Sequence, residues 1–283
     1  MEKLEDCVID NLVIYVYEVR VNAFEYFREK LDKAELEGKI PNVRFTIGKG
    51  YSEYHYRLNV GQGSGAVTIG YKHNSVRHIE EFFTMRVEFN PSKNEKLYRG
   101  FWDVFRELFV NHVKKIKQLD LAFDVPIEIN RLFAISLTGR QRSYYKNTQY
   151  FGSPGNTGRL KIYDKKNELE EKQGVKVLEE HRTWIEYTIR FEDAVTVQLL
   201  SKLQVSLNDD YTIAVLNVEK LTGEIKAAVL GVHHGYMKMN EFTRTTKVKI
   251  KKALDSMGQL DLNHAYQNAL DRNVKMISSY FKL

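Results

Sequence analysis

The chain has 283 residues, enough for one large domain or two modest ones, and its 43% hydrophobic and 28% charged content predicts a soluble globule. Lys and Arg number 43 against 37 Asp and Glu, a net charge of +6, which favours an anionic partner, nucleic acid being the commonest. Cys7 is the single cysteine, which excludes an internal disulfide and a Cys-based zinc cluster and fits a reducing cytosol.

Met1 to Asp10 carries Glu2, Glu5, Asp6 and Asp10, the wrong charge for a signal peptide, and the apolar run Leu12 to Tyr17 is far too short to span a bilayer. A cytoplasmic protein without membrane contact is expected. Asn11–Val21, rich in Val, Ile and Tyr, reads as a strand, and Ala23–Glu37 as a helix stopping at Gly38. Val43–Gly48, Glu53–Val60, Ala66–Tyr71 and Thr84–Asn90 read as strands separated by Gly and Ser. Lys96–Lys115 spaces Leu97, Phe101, Phe105, Leu108, Phe109 and Val113 as an amphipathic helix. Leu119–Val125 and Tyr144–Phe151 read as strands, followed by a Gly/Pro loop over 152–158. Arg159–Asp164 is a strand, Lys165–Gln173 a charged helix and Thr183–Phe191 a strand.

Beyond Ala194 the segments Val195–Leu207, Tyr211–Leu221, Gly223–Gly231, Asn240–Met257 and Asn263–Phe281 all favour helix, with no further strand expected. There is no internal repeat or low-complexity tract. The expected fold is α+β: a mostly antiparallel central sheet with helices on its core face, then a helical C-terminal region. A soft boundary near 194–208 divides residues 1–200 from a helical C-terminal region, 201–283.

Four strands share an alternation that places Val87, Phe89, Leu119, Leu121, Phe123, Leu160, Ile162, Ile185 and Ile189 towards a core. Arg86, Glu88, Asp120, Asp124, Lys161, Tyr163, Glu186 and Arg190 then face the other way. Asp is a poor strand former, yet Asp120 and Asp124 lie two pleats apart on one face, with small Ala122 between them. Oxygen ligands without Cys or clustered His suit a hard cation, Mg²⁺ or Mn²⁺. The plain alternative is a solvated face laced with ion pairs to Arg86, Lys161 and Arg190. Tyr163 shares its face with Lys161 and, if the strand continues, with Lys165; ammonium groups there favour a phenolate and hold a phosphate. Against this stands the count of 17 tyrosines, most of which must be packing residues. Near the C-terminus, 236–252 carries six cations against one acid. If Thr243 or Thr245 caps the helix that follows, its N-terminus suits a phosphate, and Arg244, Lys247 and Lys249 are candidate DNA contacts; an ordinary solvated helix face is the alternative.

Met85-Arg86-Val87-Glu88-Phe89-Asn90-Pro91-Ser92-Lys93, Leu119-Asp120-Leu121-Ala122-Phe123-Asp124, Tyr150-Phe151-Gly152, Lys161-Ile162-Tyr163-Asp164-Lys165-Lys166-Asn167-Glu168 and Trp184-Ile185-Glu186 occur in that order. In this the chain resembles the rolling-circle plasmid replication initiators of Gram-positive bacteria, the type found on small staphylococcal resistance plasmids. The resemblance covers about residues 80–195 well and the basic C-terminal region more loosely. It implies origin-specific nicking and closing, in which Tyr163 becomes joined to the 5′ phosphate and leaves a 3′ hydroxyl as primer. It further implies a divalent metal on carboxylates matched by Glu88, Asp120, Asp124 and Glu186, and phosphate handling by Lys161, Lys165 and Lys166. The implied partners are double-stranded origin DNA, read by a segment matching Phe242–Lys249 and including Arg244, Thr245, Lys247 and Lys249, single-stranded nick-site DNA, a second copy of the chain and the host replicative helicase. Arg86 and Arg190 are further candidate DNA contacts. Two features depart from related nickases: no His-hydrophobic-His triplet is present, and Gln118 stands where an arginine commonly precedes the Leu-Asp-Leu-Ala-Phe-Asp motif. His233 and His234, adjacent in a helical segment, read as structural. A non-catalytic DNA-binding initiator or repressor, and a metal nuclease using water, remain the alternative functions.

Overall fold

The computed structural model describes residues 6–48, 52–73, 81–94, 99–146, 148–174, 176, 182–200, 202 and 207–281. The chain divides into two compact units. The first holds Val8–Leu121, Ile189–Leu203 and the chain from Leu270; the second holds Ala122–Thr188, Gln204–Ala269 and the chain up to Cys7.

The first unit is built from β1 (Asp6–Arg20), α1 (Val21–Leu36), β2 (Val43–Ile47), β3 (Tyr54–Val60), β4 (Val67–His73), β5 (Phe82–Phe89), α2 (Pro91–Asn94), α3 (Arg99–Phe109) and the start of β6 (Lys114–Val125). Its strand order is β2-β3-β4-β5-β1-β6, and the pairs from β2 to β1 are antiparallel. Residues directly opposite in such pairs share a face. Leu58, Ile69, Val87 and Ile14 therefore form one row, and all four are fully buried. Helix α1 turns Phe24, Phe27 and Leu31 inward. Phe24 stacks on Tyr71 of β4 at 4.2 Å, and Phe27 meets Phe109 of α3 edge-on at 5.1 Å. Each such buried side chain contributes roughly 1.5–3 kcal/mol of hydrophobic stabilisation.

The opposite face carries the polar rows. Glu88 lies between Thr68 and Val13, and Arg86 between Gly70 and Tyr15. A Cβ on Gly70 would lie 2.6 Å from the Tyr54 ring, so only glycine lets that ring rest on the strand. One extra residue in β1 between Val16 and Val19 forms a bulge, with Glu18 in the left-handed region at φ 58°.

The second unit contains the end of β6, β7 (Leu132–Ser136), β8 (Arg142–Tyr145), β9 (Thr148–Phe151), β10 (Arg159–Asp164), α4 (Lys165–Gln173) and the start of β11 (Thr183–Val195). After α5 (Val197–Leu200), which belongs to the first unit, come α6 (Leu207–Asp210), β12 (Tyr211–Val215), α7 (Gly223–His233), α8 (Arg244–Asp255) and the start of α9 (Leu262–Phe281). Strands β11-β10-β9-β8 form an antiparallel run ending at β8, and β7 pairs with β12. Helices α7 and α8 cover β7 and β12 through Phe133, Ile135, Ala214, Val229, Val232, Ile250 and Leu254.

The α+β class, the mostly antiparallel sheet and the helical character of α7, α8 and α9 agree with the sequence reading. Three expectations are corrected. Tyr211–Leu221 is not a helix: Tyr211–Val215 is strand β12 and Val218–Lys220 a short 3₁₀ turn. Its Tyr-Thr-Ile-Ala-Val composition suits a strand, and the pairing that decides the matter lies with Leu132–Ser136, far away in sequence. Tyr144–Phe151 is a hairpin rather than one strand, since Tyr145 pairs with Thr148. Lys146 takes φ 51°, the left-handed backbone that two-residue hairpins require. The helix expected over Lys96–Lys115 is α3, Arg99–Phe109, and Lys114 and Lys115 already open β6. Leu97 of that expected helix, with the rest of 95–98, and positions 201 and 203–206 of the expected helix Val195–Leu207 lie outside the described residues.

Candidate active site

All nine side chains assigned inward by alternation are buried: Val87, Phe89, Leu119, Leu121, Phe123, Leu160, Ile162, Ile185 and Ile189. The polar set that this leaves gathers in separate clusters.

In the second unit, Tyr163 of β10 lies opposite Trp184 of β11, and Lys161 lies opposite Glu186. The Tyr163 hydroxyl donates to Glu186 Oε1 at 2.5 Å, and the Lys161 ammonium donates to Glu186 Oε2 at 2.9 Å. Each oxygen of one carboxylate is thus held by a different member of the pair. Lys161 Nζ also sits 4.0 Å from the Tyr163 ring centroid. Lys165 begins α4 rather than extending β10, but its ammonium returns to within 3.4 Å of the Tyr163 hydroxyl. It is held there by Glu168 at 2.7 Å and by the Trp184 ring at 3.9 Å, and it is only 7% exposed. Asp164 caps α4 by accepting from Asn167 N–H, which fixes where β10 stops and Lys165 turns. Lys166 follows, half-buried, its backbone N–H directed at Arg182 O.

Tyr163 itself is 6% exposed. A buried phenol hydrogen-bonded to a carboxylate and flanked by two ammonium groups is arranged to lose its proton to that carboxylate while its developing charge is balanced. Sequence reasoning placed Glu186 among the candidate metal ligands and named no proton acceptor. The two-residue alternation of β10 and β11 gives each side chain a face, but only their register sets Glu186 beside Tyr163.

Asp124 lies on the part of β6 in the second unit and accepts from Arg182 through both Nε, at 2.7 Å, and Nη2, at 2.5 Å.

In the first unit, Asn11 of β1 joins two other carboxylates. Its amide nitrogen donates to Glu88 Oε1 at 2.8 Å and to Asp120 Oδ2 at 3.2 Å. Arg86 Nη1 pairs with Glu88 Oε2 at 2.6 Å. Burial alone would lower the Arg86 guanidinium, but Glu88 beside it holds it above its ordinary value. Gln118 Nε2 donates to Asp120 Oδ1 at 3.1 Å, while Gln118 Oε1 accepts from Arg190 Nη2 at 2.8 Å. The position where an arginine was expected is therefore a glutamine that links an arginine from β11 to Asp120. Asn11 carries no motif that sequence reasoning could have singled out.

Two carboxylates converging on one amide nitrogen suit a hard cation, and Mg²⁺ is commonly held by one or two carboxylates with phosphate and water completing its shell. Among the described residues no three of His, Cys, Asp and Glu come together as a ligand group. The pair Glu88 and Asp120 fits such a cation as a two-carboxylate site, with the Asn11 side chain beside it.

Of the candidate DNA contacts, Arg86 and Arg190 take the places just described. Arg244, Thr245 and Lys249 are exposed on α8, and Lys247 is half-buried. Thr243 is the cap, its Oγ1 accepting from Thr246 N–H at 3.3 Å. Ile250 and Leu254 anchor the helix in the core of the second unit. His233 is structural, as expected: its Nε2 lies 2.7 Å from Asn130 O, and burial pushes its imidazole below the ordinary range. Among the described residues no helix is long and apolar enough to cross a membrane.

The fold and these clusters define an α+β protein that presents a tyrosine on an antiparallel sheet beside a carboxylate and two lysines. Residues 127–214, which include Tyr163 and Glu186, match the family model of the N-terminal region of a phage replication-associated protein. Two replication initiation proteins of Staphylococcus aureus are each 25% identical over 205 residues, covering 68% of this chain. The chain spans 61% of the length of these curated relatives. A rolling circle replication initiator protein from Geobacillus stearothermophilus superposes with a TM-score of 0.41 at 12% identity, covering 81% of this chain and 96% of that one. The resemblance to replication initiators carried by the ordered motifs is thus found again in the family model and in the staphylococcal relatives.

Proposed function

We propose that this protein initiates rolling-circle replication of a plasmid by nicking, and later closing, one strand at the origin. The observation that carries the reading is the hydrogen bond from the Tyr163 hydroxyl to Glu186, with Lys161 and Lys165 alongside. Tyr163 Oη attacks the scissile phosphorus, forming a phosphotyrosine ester with the 5′ phosphate as the bond to the 3′ oxygen breaks. A carboxylate is a far weaker base than a phenolate, so the phenol proton passes to Glu186 only as the new bond to phosphorus forms. Lys161 and Lys165 balance the charge that grows on the phosphoryl oxygens. The 3′ oxygen leaves as a hydroxyl after taking a proton, and the ester keeps the bond energy needed for rejoining.

A divalent cation, Mg²⁺ or Mn²⁺, belongs to the same reading: Glu88 and Asp120 would hold it, and it would supply Lewis-acid chemistry towards phosphate. The exposed cations of α8 contact the duplex origin, and their phosphate contacts make binding fall with salt. Action as a homodimer in the cytoplasm and recruitment of the host replicative helicase belong to the same reading.

Single-stranded oligonucleotides tiling the cognate origin, labelled at the 3′ end and incubated with protein and Mn²⁺, test it on a denaturing protein gel. The expected result is a labelled band at the protein's mass that disappears with EDTA and in Tyr163→Phe, while Tyr163→Phe still binds the oligonucleotide. Cleavage with free 5′ phosphates and no labelled band would make the protein a water-using nuclease. Binding without cleavage would make it a non-catalytic initiator or repressor.

A further inference from the structure

The face of the second unit that carries Tyr163 continues across two more strands to the sheet's edge. Lys161 lies opposite Tyr150 of β9, and Tyr150 lies opposite Ser143 of β8. Tyr163 lies opposite Thr148, and Thr148 lies opposite Tyr145. Residues paired in this way project to the same side. Tyr163, Tyr150 and Tyr145 therefore descend one face from β10 to β8, where the run of strands ends. The neighbours between the rings, Thr148 and Ser143, are short.

Each ring has its own cation. Lys161 lies 4.0 Å from the Tyr163 centroid, the Arg159 guanidinium 4.8 Å from that of Tyr150, and Lys146 5.8 Å from that of Tyr145. Tyr145 is 66% exposed although it sits on a regular strand, and Lys146 beside it is exposed. The carboxylate described on these rows, Glu186, is engaged by Lys161 and Tyr163. Tyr145, with its ring exposed, and Tyr150, half-buried, alternate with positive charge, which matches a chain of flat bases joined by phosphates.

We propose that Tyr150 and Tyr145, with Arg159 and Lys146, form a stacking path for unpaired nucleotides of a single DNA strand, leading from Tyr163 to the edge strand β8. The direction of the path rests on the reading of Tyr163 as nucleophile; binding along it does not. Two strand spacings separate Tyr163 from Tyr145, about 10 Å, so the nucleotides next to the scissile phosphate are the ones that reach it. Stacking on an aromatic side chain tolerates any base, so this path adds affinity for unpaired DNA and leaves origin choice to other contacts.

The test is fluorescence anisotropy with a labelled oligothymidylate of about 15 nucleotides and, separately, a blunt duplex. Tyr145→Ala is expected to weaken oligothymidylate binding roughly tenfold, with Tyr145→Phe restoring it, because the ring and not the hydroxyl carries the contact. Tyr150→Leu is expected to act in the same direction, and duplex binding to stay unchanged. Native affinity in Tyr145→Ala and Tyr150→Leu overturns the proposal, as does an equal loss for oligothymidylate and duplex. If the tyrosine variants lose oligothymidylate affinity but the native protein never forms an adduct, the nicking reading fails and the path stands. If adducts form while the tyrosine variants bind as the native protein does, the path fails and the nicking reading stands.

Discussion

The two carboxylate clusters are made from the same residue types on strands of the same kind, yet they are finished differently. Around Glu88 and Asp120 in the first unit, the donors are two amides, Asn11 and Gln118, and the Arg86 guanidinium on Glu88, with Arg190 reaching Asp120 only through Gln118. Neither an amide nitrogen nor a guanidinium gives up its proton at ordinary pH, so the donors of this cluster can position charge but cannot pass a proton to the carboxylates. Around Glu186 in the second unit, the donors are a phenol and an ammonium. The phenol can form a bond to phosphorus, which no amide of the other cluster can do. On the proposed reading, proton transfer and bond making fall to Glu186 and Tyr163, and Glu88 and Asp120 remain fixed negative charge.

The contrast can be broken most directly at Glu186. Glu186→Gln keeps the shape but removes the base, and nicking is expected to slow by about 10²–10⁴-fold with oligonucleotide affinity little changed, as measured by single-turnover adduct formation. A rate close to native would return proton acceptance to some other group. Next, Lys161→Met removes one ammonium while filling its space. The expected loss is on the order of 10²-fold in adduct formation, whereas a defect confined to DNA binding would make Lys161 an anchor for phosphate only.

In the first unit, Asn11→Leu removes the donor that Glu88 and Asp120 share. The two carboxylates are left short of a partner, and a loss of about 1–3 kcal/mol in denaturant unfolding is expected. Mn²⁺ should stabilise this variant more than the native protein, since a cation would take over the role of the amide. Equal stabilisation of both would remove Glu88 and Asp120 as a cation site.

The smallest effect concerns a likeness between the units. Each holds a histidine whose Nδ1 is buried without a partner: His112 in the first and His233 in the second. Burial pushes both imidazoles below the ordinary histidine range, and Lys114 adds to this at His112. The folded protein therefore binds fewer protons at these sites than the unfolded chain, which takes them up near pH 6.5. Stability is expected to fall as the pH drops below about 6.5, and His233→Asn to flatten part of that slope in urea titrations. An unchanged slope would place the proton uptake elsewhere.

Alternation in the sequence was enough to sort inward from outward side chains on β5, β6, β10 and β11, because a strand repeats every two residues whatever it pairs with. The lysines beside Tyr163 were equally legible, being its near neighbours along the chain. The hairpin of β8 and β9 was within reach too, since Lys146-Asn147 between two tyrosine-rich runs is a turn signal. Strand β12 was hidden, because Tyr211–Val215 looks like either element until Leu132–Ser136 is brought to it.

The sequence by itself determined which side chains leave the core, the sign of their charge and the order of the motifs. Only the tertiary structure decided who meets whom. Glu186 receives the Tyr163 proton-bearing oxygen across 23 positions, and Asn11 reaches Asp120 across 109. The physical reason is that a face is fixed by local geometry, whereas register is fixed by hydrogen bonds to a strand distant in sequence. A shift of one residue in that register would send Glu186 to the opposite face from Tyr163.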